Sequence, residues 1–304
     1  MNRIFGVPIL TKETTLFDRG QSMKVLYTVD LHVDPTHYQR LLDLEKNQKI
    51  DCLIIGGDLI PTGHGFYEST DFQREFIRGS LNPYFSKLKD AKPNLGIYLM
   101  MGNDDRAVNM DLLEDMEREG TINLLHKRHH VLKEGLHLVG YAYVPITPFA
   151  LKDWERFDSR DKVAVINRSR RCFLSTMDGV RQIDLEEVLG KEKTIEEDME
   201  YLPHLSDPRR TIYVMHAPPY NTALDTLFNG THCGSNSIRR FIEKHHPYLT
   251  FHGHIHESPL VSGRFMEQIG ETLCINPGQE EDRLHAVIFD TEDVKGTLQF
   301  FPSI

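Results

Sequence analysis

The sequence predicts an α/β fold with more than one β-sheet and an inserted helical segment. Three observations support this prediction. Short apolar runs recur along the chain, helix-like segments separate several of them, and the later runs follow one another with fewer helices between them. Apolar strands that alternate with helices are typical of a sheet covered on both faces, and strands without intervening helices indicate a second sheet.

The predicted strands are apolar runs, and several of them end on glycine or on polar residues. They cover residues 24–30, 52–58, 96–104, 136–144, 211–219, 248–254, 271–278, 283–290 and 296–301. The pair Asp34 and Pro35 resembles an N-cap and a first helical residue, so we predict a helix over residues 38–48. Further helices are predicted over residues 71–90 and 235–246.

Two segments lie outside this pattern. Residues 1–22 precede the first predicted strand, and we interpret them as an N-terminal extension, which leaves one domain over residues 23–304. Residues 145–208 are rich in charge and include a helix-like run over residues 183–202. Because this segment lies between two predicted strands, we interpret it as a helical cap insertion rather than as a separate domain.

The composition is that of an ordinary globular protein and excludes few functions. Hydrophobic residues make up 39% and charged residues 26% of the chain, and the formal net charge of −10 argues against a protein that mainly binds nucleic acid. The four cysteines form no C-x-x-C pair, and neither a signal-peptide pattern nor a bilayer-spanning apolar run is present. We therefore expect a cytoplasmic protein without a membrane partner. The sequence leaves the oligomeric state open.

Polar side chains follow five of the predicted strands at their carboxyl ends. In open α/β sheets these ends line the ligand crevice, so the side chains are expected to converge. They belong to Asp30, His32, Asp58, Asn103, His216, His254 and His256. Three oxygen donors and four imidazoles are too many for one tetrahedral zinc ion and fit two metal ions that share a carboxylate. Three glycines directly precede three of these positions, where the chain must turn sharply or approach another segment closely, namely Gly57, Gly102 and Gly253.

The same residues form an ordered set of motifs. In chain order these are DLH at 30–32, GD at 57–58, GND at 102–104, His216 and GHIH at 253–256. The set resembles the calcineurin-like metallophosphoesterases, in particular small prokaryotic members, over nearly all of residues 24–278. The resemblance implies a four-layer αββα sandwich of two mixed β-sheets flanked by helices, and it implies a phosphoesterase activity.

The resemblance also implies two metal ions and a mechanism. Members of the family use Mn, Fe, Zn or Ni, and the sequence does not choose among them. In such sites a hydroxide that bridges two metal ions attacks phosphorus in line, and the ions neutralise charge on the phosphoryl oxygens. The expected partner is therefore a small phosphorylated substrate. In the family's pattern one ion takes Asp30, His32 and His256, the other takes Asn103, His216 and His254, and Asp58 bridges them.

One position departs from the family's pattern. The third motif commonly reads G-N-H, and its histidine is taken to assist the leaving group, whereas this chain has Asp104. A carboxylate beside two cations has a lowered pKa and is a poor general acid, and it repels a phosphate dianion more than a diester monoanion. We therefore expect a preference for diesters or activated esters, with Asp58, Asn103 and Asp104 as the catalytic candidates. His64 and His232 are alternative proton donors.

His252 directly precedes the GHIH motif, and we predict that it is not a ligand, because the family has none at this position. Two other functional classes stay open, namely a catalytically weakened scaffold or interaction protein on the same fold, and a nuclease of the same superfamily. All seven ligand positions hold ligating residues, which favours an enzyme over a scaffold, and the acidic balance argues against a nuclease. The H-x-H-x-D-H motif of metallo-β-lactamase-type hydrolases is absent from the sequence.

Overall fold

The structure is a computed structural model that describes residues 22–61, 65–67, 69–133, 135–161 and 171–302. The predicted N-terminal extension lies outside the described residues apart from Ser22, and His64 lies outside them as well. Within the described part of the chain, no helix is both long enough and apolar enough to cross a membrane.

Strands and helices alternate along the first half of the described chain, and strands dominate its end. The strands are β1 (Lys24–Thr28), β2 (Cys52–Ile55), β3 (Gly96–Leu99), β4 (Asn123–Leu124), β5 (His129–Lys133), β6 (Leu136–Tyr141), β7 (Val144–Pro145), β8 (Glu155–Arg156), β9 (Cys172–Thr176), β10 (Gly179–Ile183), β11 (Thr211–Met215), β12 (Leu249–Phe251), β13 (Met266–Ile269), β14 (Thr272–Ile275), β15 (Ala286–Asp290) and β16 (Gln299–Phe301). The α-helices are α1 (His37–Gln48), α2 (Ser69–Phe76), α3 (Asn82–Ala91), α4 (Met110–Arg118), α5 (Leu185–Leu189), α6 (Ile195–Tyr201), α7 (Asn236–His245), α8 (Ser258–Ser262) and α9 (Val294–Thr297).

Two six-stranded sheets form the centre of the molecule. Their strand orders are β16-β15-β1-β2-β3-β4 and β13-β14-β12-β11-β6-β5. In the first sheet β1 to β4 are parallel, and in the second sheet β6, β11, β12 and β14 are parallel. Antiparallel strands complete the edges, so both sheets are mixed. The predicted α/β class, with two mixed sheets flanked by helices, is confirmed.

The two sheets pack against each other through aromatic side chains. Tyr27 on β1 stacks on Phe251 on β12 with 4.1 Å between ring centroids, and Phe251 also contacts Phe289 on β15 at 5.7 Å. On the other face of the second sheet, Tyr213 meets Phe241 of α7 at 5.0 Å, and Ile195 of α6 is buried in the same cluster. The central strands are therefore covered on both faces, which is why their sequences are continuous apolar runs.

Two predicted helices differ in detail from the observed ones. Helix α1 begins at His37 rather than at the Pro35 position, because the Asp34 carboxylate accepts hydrogen bonds from the amide and the hydroxyl of Thr36, both at 2.8 Å. The predicted helix over residues 71–90 is observed as α2 and α3 joined by a π-helical turn, Ile77–Leu81. The predicted helix over residues 235–246 corresponds to α7.

The predicted helical insertion, residues 145–208, contains strands as well as helices. Strands β9 and β10 form an antiparallel hairpin within it. The helix-like run over residues 183–202 is divided into α5 and α6: α5 ends at Leu189 with Gly190 as its C-cap, and Thr194 caps α6 by a capping box with Glu197. Two short helices replace one long helix because this cap fixes a new helix start inside the run. The role of the insertion as a cap over the site stays a prediction.

Candidate metal centre

The candidate ligands lie where strands of the two sheets end side by side. On the first sheet, the amide of Asp30 donates to the carbonyl of Gly57 at 3.1 Å, and the amide of His32 donates to the carbonyl of Asp58 at 3.0 Å. On the second sheet, the amide of Gly253 donates to the carbonyl of His216 at 2.9 Å. The amide of His254 donates to Asp30 Oδ2 at 3.1 Å, which joins the loops of the two sheets at one edge, as expected for carboxyl ends of parallel strands.

Three of the candidate ligands adopt a left-handed backbone conformation. The φ angles are 57° at Asp30, 50° at Asp58 and 65° at His254. This region costs a non-glycine residue about 1–3 kcal/mol, and such strain persists where the surrounding structure enforces it, often at functional sites. Each residue lies just after a strand, so the turn directs its side chain toward the shared edge.

Four side chains form a compact cluster of metal-ligating atoms. One ligand atom from each of Asp30, His32, Asp58 and His256 lies within 4.8 Å of the others. His256 Nε2 is 3.7 Å from Asp30 Oδ1, and His32 Nδ1 is 3.9 Å from Asp58 Oδ2. These separations are long for hydrogen bonds, and they suit ligands of a common ion, which at bond lengths of about 2.1 Å lie roughly 3–4 Å apart.

His216 connects this cluster to the second predicted set of ligands. Its Nε2 lies 3.2 Å from Asp58 Oδ2 and 3.1 Å from Asn103 Oδ1, and its ring lies 5.5 Å from the ring of His254. Its Nδ1 donates to the carbonyl of Gly56 at 3.0 Å, so in the neutral ring Nε2 presents a lone pair. A lone pair that faces two acceptor oxygens calls for a proton or a metal ion between them. The donor set therefore fits a bound cation.

Asp58 lies between the two sets of ligands, and burial and its charge together shift the pKa values around it. Burial alone raises the pKa of Asp58, but His216 and His32 lower it well below its usual range. Burial lowers the pKa of His216, and attraction by Asp58 and Asp30 outweighs this effect and raises the pKa to about 9. Burial lowers the pKa of His254 to about 3. At pH 7 Asp58 is thus ionised and His254 neutral, which are the protonation states that bind metal, whereas His216 is protonated and would release its proton to a bound metal ion.

Two glycines allow the ligands to approach one another. A Cβ atom at Gly102 would lie 2.3 Å from Asp58 Oδ1, and a Cβ atom at Gly57 would lie 2.6 Å from His216 Nδ1. Neither position has room for a larger residue without displacing a ligand. The sequence prediction that these glycines allow close approach is consistent with this geometry.

Asp104 lies at the open side of the cluster. Its carboxylate accepts a hydrogen bond from Asn103 Nδ2 at 3.0 Å and lies 3.3 Å from His32 Nε2, and its side chain is 33% exposed. Its amide donates to Asp58 Oδ1 at 2.8 Å. Burial and the charge of Asp58 raise the pKa of Asp104 when only protein charges act. The lowered pKa expected from the sequence depends on the added charge of two cations.

Two residues that orient the site were not singled out from the sequence as functional. The Asp105 carboxylate accepts hydrogen bonds from the amides of Leu59, Ile60 and Gly102 at 2.9–3.1 Å, which ties the loop after β2 to the loop after β3. Gln73 is fully buried on α2. Its Nε2 donates to the carbonyl of Asp104 at 2.9 Å. Its Oε1 accepts from the amide of Arg106 at 2.8 Å. Asp105 directly follows the GND motif at 102–104 and could have been noticed there, whereas Gln73 has no sequence signal.

His252 lies in the core beside the site and outside the ligand cluster. Its Nδ1 lies 3.0 Å from the carbonyl of Met215 and 2.9 Å from that of Ala217, and its Nε2 lies 2.9 Å from the Thr250 hydroxyl. Carbonyls only accept, so Nδ1 carries the proton and Nε2 accepts from Thr250. The ring fixes the end of β11, which carries His216.

Of the two alternative proton donors, the structure describes only His232. His232 belongs to the loop between β11 and α7, and its Nδ1 donates to the buried carboxylate of Asp225 at 2.8 Å. Three amides, those of Asn221, Thr222 and Gly234, also donate to Asp225, so this contact organises the loop. His64 lies outside the described residues.

Comparisons with known proteins agree with this architecture. Residues 23–258 match the family model described as calcineurin-like phosphoesterase. The solved structure of TT1561 of Thermus thermophilus is similar with a TM-score of 0.56 and 14% identity, over 92% of this chain and 98% of that one. A dimetal phosphatase from Danio rerio is similar with a TM-score of 0.51 and 10% identity, over 88% of this chain and 95% of that one. At such identities the likeness shows the fold alone. No curated protein matches the chain.

Proposed function

The chain belongs to the calcineurin-like phosphoesterase family, since the family model matches residues 23–258, and from this premise we propose that it hydrolyses phosphoesters at a centre of two transition metal ions. The observation that carries the proposal is the cluster of Asp30, His32, Asp58 and His256, whose ligand atoms lie within 4.8 Å of one another. The name of the similar dimetal phosphatase from Danio rerio is in keeping with two ions.

The division of ligands follows the family's pattern. Asp58 would bridge, and its position between His32 and His216 supports this role. When bound, two such ions supply an activated water and neutralise charge on the phosphoryl group. Mn, Fe, Zn or Ni would suit the mixed imidazole and oxygen donors better than Mg or Ca. The first ion would be held by Asp30, His32 and His256, and the second by Asn103, His216 and His254.

The protein's own side chains would orient the substrate and select among substrates by their charge. Asn103 fixes the Asp104 carboxylate by its amide, and Asp104 in turn holds Asp58 through its main-chain amide. A carboxylate at the open side of the centre repels a phosphate dianion more than a diester monoanion. We therefore propose small phosphodiesters or activated phosphoesters as substrates, in the cytoplasm, with Asp58, Asn103 and Asp104 in the catalytic machinery.

A panel of p-nitrophenyl mono- and diesters tests this proposal. We expect hydrolysis with added Mn²⁺, loss of hydrolysis with a chelator, and a higher kcat/KM for bis-p-nitrophenyl phosphate than for p-nitrophenyl phosphate. Absence of hydrolysis with each of Mn, Fe, Zn and Ni would contradict an enzymatic function and favour a scaffold. A higher kcat/KM for the monoester would contradict the role given to Asp104.

A further inference from the structure

His129 and His137 form a pair of imidazoles on the last two strands of the second sheet, β5 and β6. His129 Nε2 lies 2.9 Å from His137 Nδ1, and the ring centroids are 5.0 Å apart. Both side chains are half-buried, and Val131, which lies directly opposite His137 in the strand register, is 48% exposed. The pair is therefore within reach of solvent and of dissolved ions.

The antiparallel register of β5 and β6 places the two imidazoles on one face of the sheet. His129 lies opposite Val139 and Val131 lies opposite His137, so the two histidines are diagonal neighbours. Side chains two residues apart along a strand share a face, so both rings lie on the same side as Val131 and Val139. Paired strands, rather than a loop, hold the two rings together.

The protonation state of the pair suits a cation. A neutral imidazole donates from one nitrogen and offers a lone pair on the other, so one ring of the pair donates and the other accepts. Burial lowers the pKa of both histidines; the neighbouring His137 lowers that of His129 further, and for His137 the effect of Arg210 is opposed by that of Asp207. Both rings are thus neutral at pH 7, which is the form that binds metal.

The separation of the two nitrogens matches that of two ligands on one ion. Imidazole nitrogens bind a metal ion such as zinc at about 2.0–2.1 Å, so two of them lie about 2.8–3.4 Å apart for angles between a right angle and the tetrahedral angle. The observed 2.9 Å lies within this range. A cation can therefore replace the proton between the rings after small rotations of the two side chains.

His130, the next residue on β5, has a different environment. Its side chain lies on the opposite face of the strand, where its ring packs against Tyr98 with 5.2 Å between centroids. Its Nε2 donates to the main-chain carbonyl of Leu124 at 2.8 Å. A carbonyl only accepts, so this nitrogen carries a proton and offers no lone pair to a cation. His130 is therefore a matched control for the pair.

The pair is separate from the candidate metal centre. His137 is the second residue of β6, whereas the carbonyl of Tyr141, the last residue of β6, accepts a hydrogen bond from the amide of His216 at 2.9 Å. Four residues of a β-strand span about 13 Å. An ion between His129 and His137 would therefore lie toward the other end of β6 from the centre and would not take part in its chemistry.

We propose that His129 and His137 form a peripheral metal site for one divalent transition ion of the kind that imidazole ligands prefer, namely Cu²⁺, Ni²⁺ or Zn²⁺. The ion joins the edge strand β5 to β6, and water completes its coordination. With two protein ligands it exchanges readily and leaves on desalting, unlike ions of the centre. This site goes beyond the proposed function and does not depend on it.

Copper binding to desalted protein whose centre has been loaded with zinc tests the proposal. We expect one further Cu²⁺ per chain in a calorimetric titration, with an EPR signal split by two nitrogen nuclei. His129→Gln and His137→Gln should each weaken this binding by at least about tenfold, while His130→Gln changes it less than about twofold. No further Cu²⁺, or equal affinities in His129→Gln and His130→Gln, would overturn the proposal. The comparison among variants requires no hydrolysis, so a failure of the proposed function leaves it intact.

Thermal unfolding measures the effect of the ion on the edge of the sheet. With Ni²⁺ at about ten times its Kd, the Tm of the unsubstituted protein and of His130→Gln should rise by about 2–4 °C over the same desalted proteins. In His137→Gln the rise should be less than about 1 °C, because one of the two ligands is lost. A rise in His137→Gln as large as that in His130→Gln would overturn the proposal.

Discussion

Replacement of His252 by asparagine tests whether the first histidine of the sequence HGHIH is a structural residue of the core. The other two histidines, His254 and His256, are candidate metal ligands. Burial lowers the pKa of His252 from its ordinary 6.5 to about 4. The unfolded chain therefore binds a proton between these pH values and the folded chain does not. A histidine with a lowered folded pKa contributes stability above pH 6.5 and loses it as the pH falls toward 4.

The size of the effect follows from the two pKa values. With 6.5 in the unfolded state and about 4 in the folded state, the linkage relation gives a loss of about 2 kcal/mol between pH 8 and pH 5 for this residue alone. In His252→Asn this decrease in the free energy of unfolding is absent, because asparagine does not titrate. At pH 8 the variant should itself be less stable by about 1–3 kcal/mol, because the bond to the Thr250 hydroxyl is lost.

Urea denaturation at pH 8 and pH 5 measures both quantities. The other histidines titrate in both proteins, so the difference between the proteins isolates His252. We expect the unsubstituted protein to lose about 2 kcal/mol more than His252→Asn, while the metal content of the two proteins is the same. An identical pH dependence, or a loss of metal in the variant, would refute the reasoning.

Three further substitutions test the surroundings of the candidate centre. Asp104→His should raise kcat on alkyl phosphoesters by about a hundredfold, with p-nitrophenyl esters changed much less, because a general acid helps poor leaving groups most; unchanged alkyl rates would contradict the role of Asp104. Asp105→Asn should lower the free energy of unfolding by about 2–4 kcal/mol in urea, since an amide cannot accept from three amides as the carboxylate does, and an unaltered midpoint would refute this. Gln73→Leu should lower kcat about tenfold with KM for bis-p-nitrophenyl phosphate nearly constant, because the loop that carries Asp104 loses its anchor; a change in KM alone would argue against positioning.

The strand ends could be predicted because they depend on short patterns of neighbouring residues in the sequence. Apolar runs that stop at glycine and a polar residue gave the central strands of both sheets, and parallel strands bring their carboxyl ends to one edge. The cluster of Asp30, His32, Asp58 and His256 follows from that rule. The division of the ligands between two metal ions came from the family resemblance and stays a proposal.

Other features depend on contacts that a one-dimensional pattern does not contain. The hairpin of β9 and β10 was missed because its strands are short and largely polar on the outside. The anchoring by Gln73 involves main-chain atoms of Asp104 and Arg106, which any residue type could provide.

The metal content of the purified protein tests the central claim most directly. Elemental analysis of the unsubstituted chain should find two transition metal ions per chain, and Asp58→Asn should lose bound metal without unfolding, because the proposed bridge and its charge are gone. Circular dichroism of the same samples verifies that the variant is folded. A chain that binds no transition metal under any loading condition, or an Asp58→Asn variant with undiminished metal content, would contradict the account.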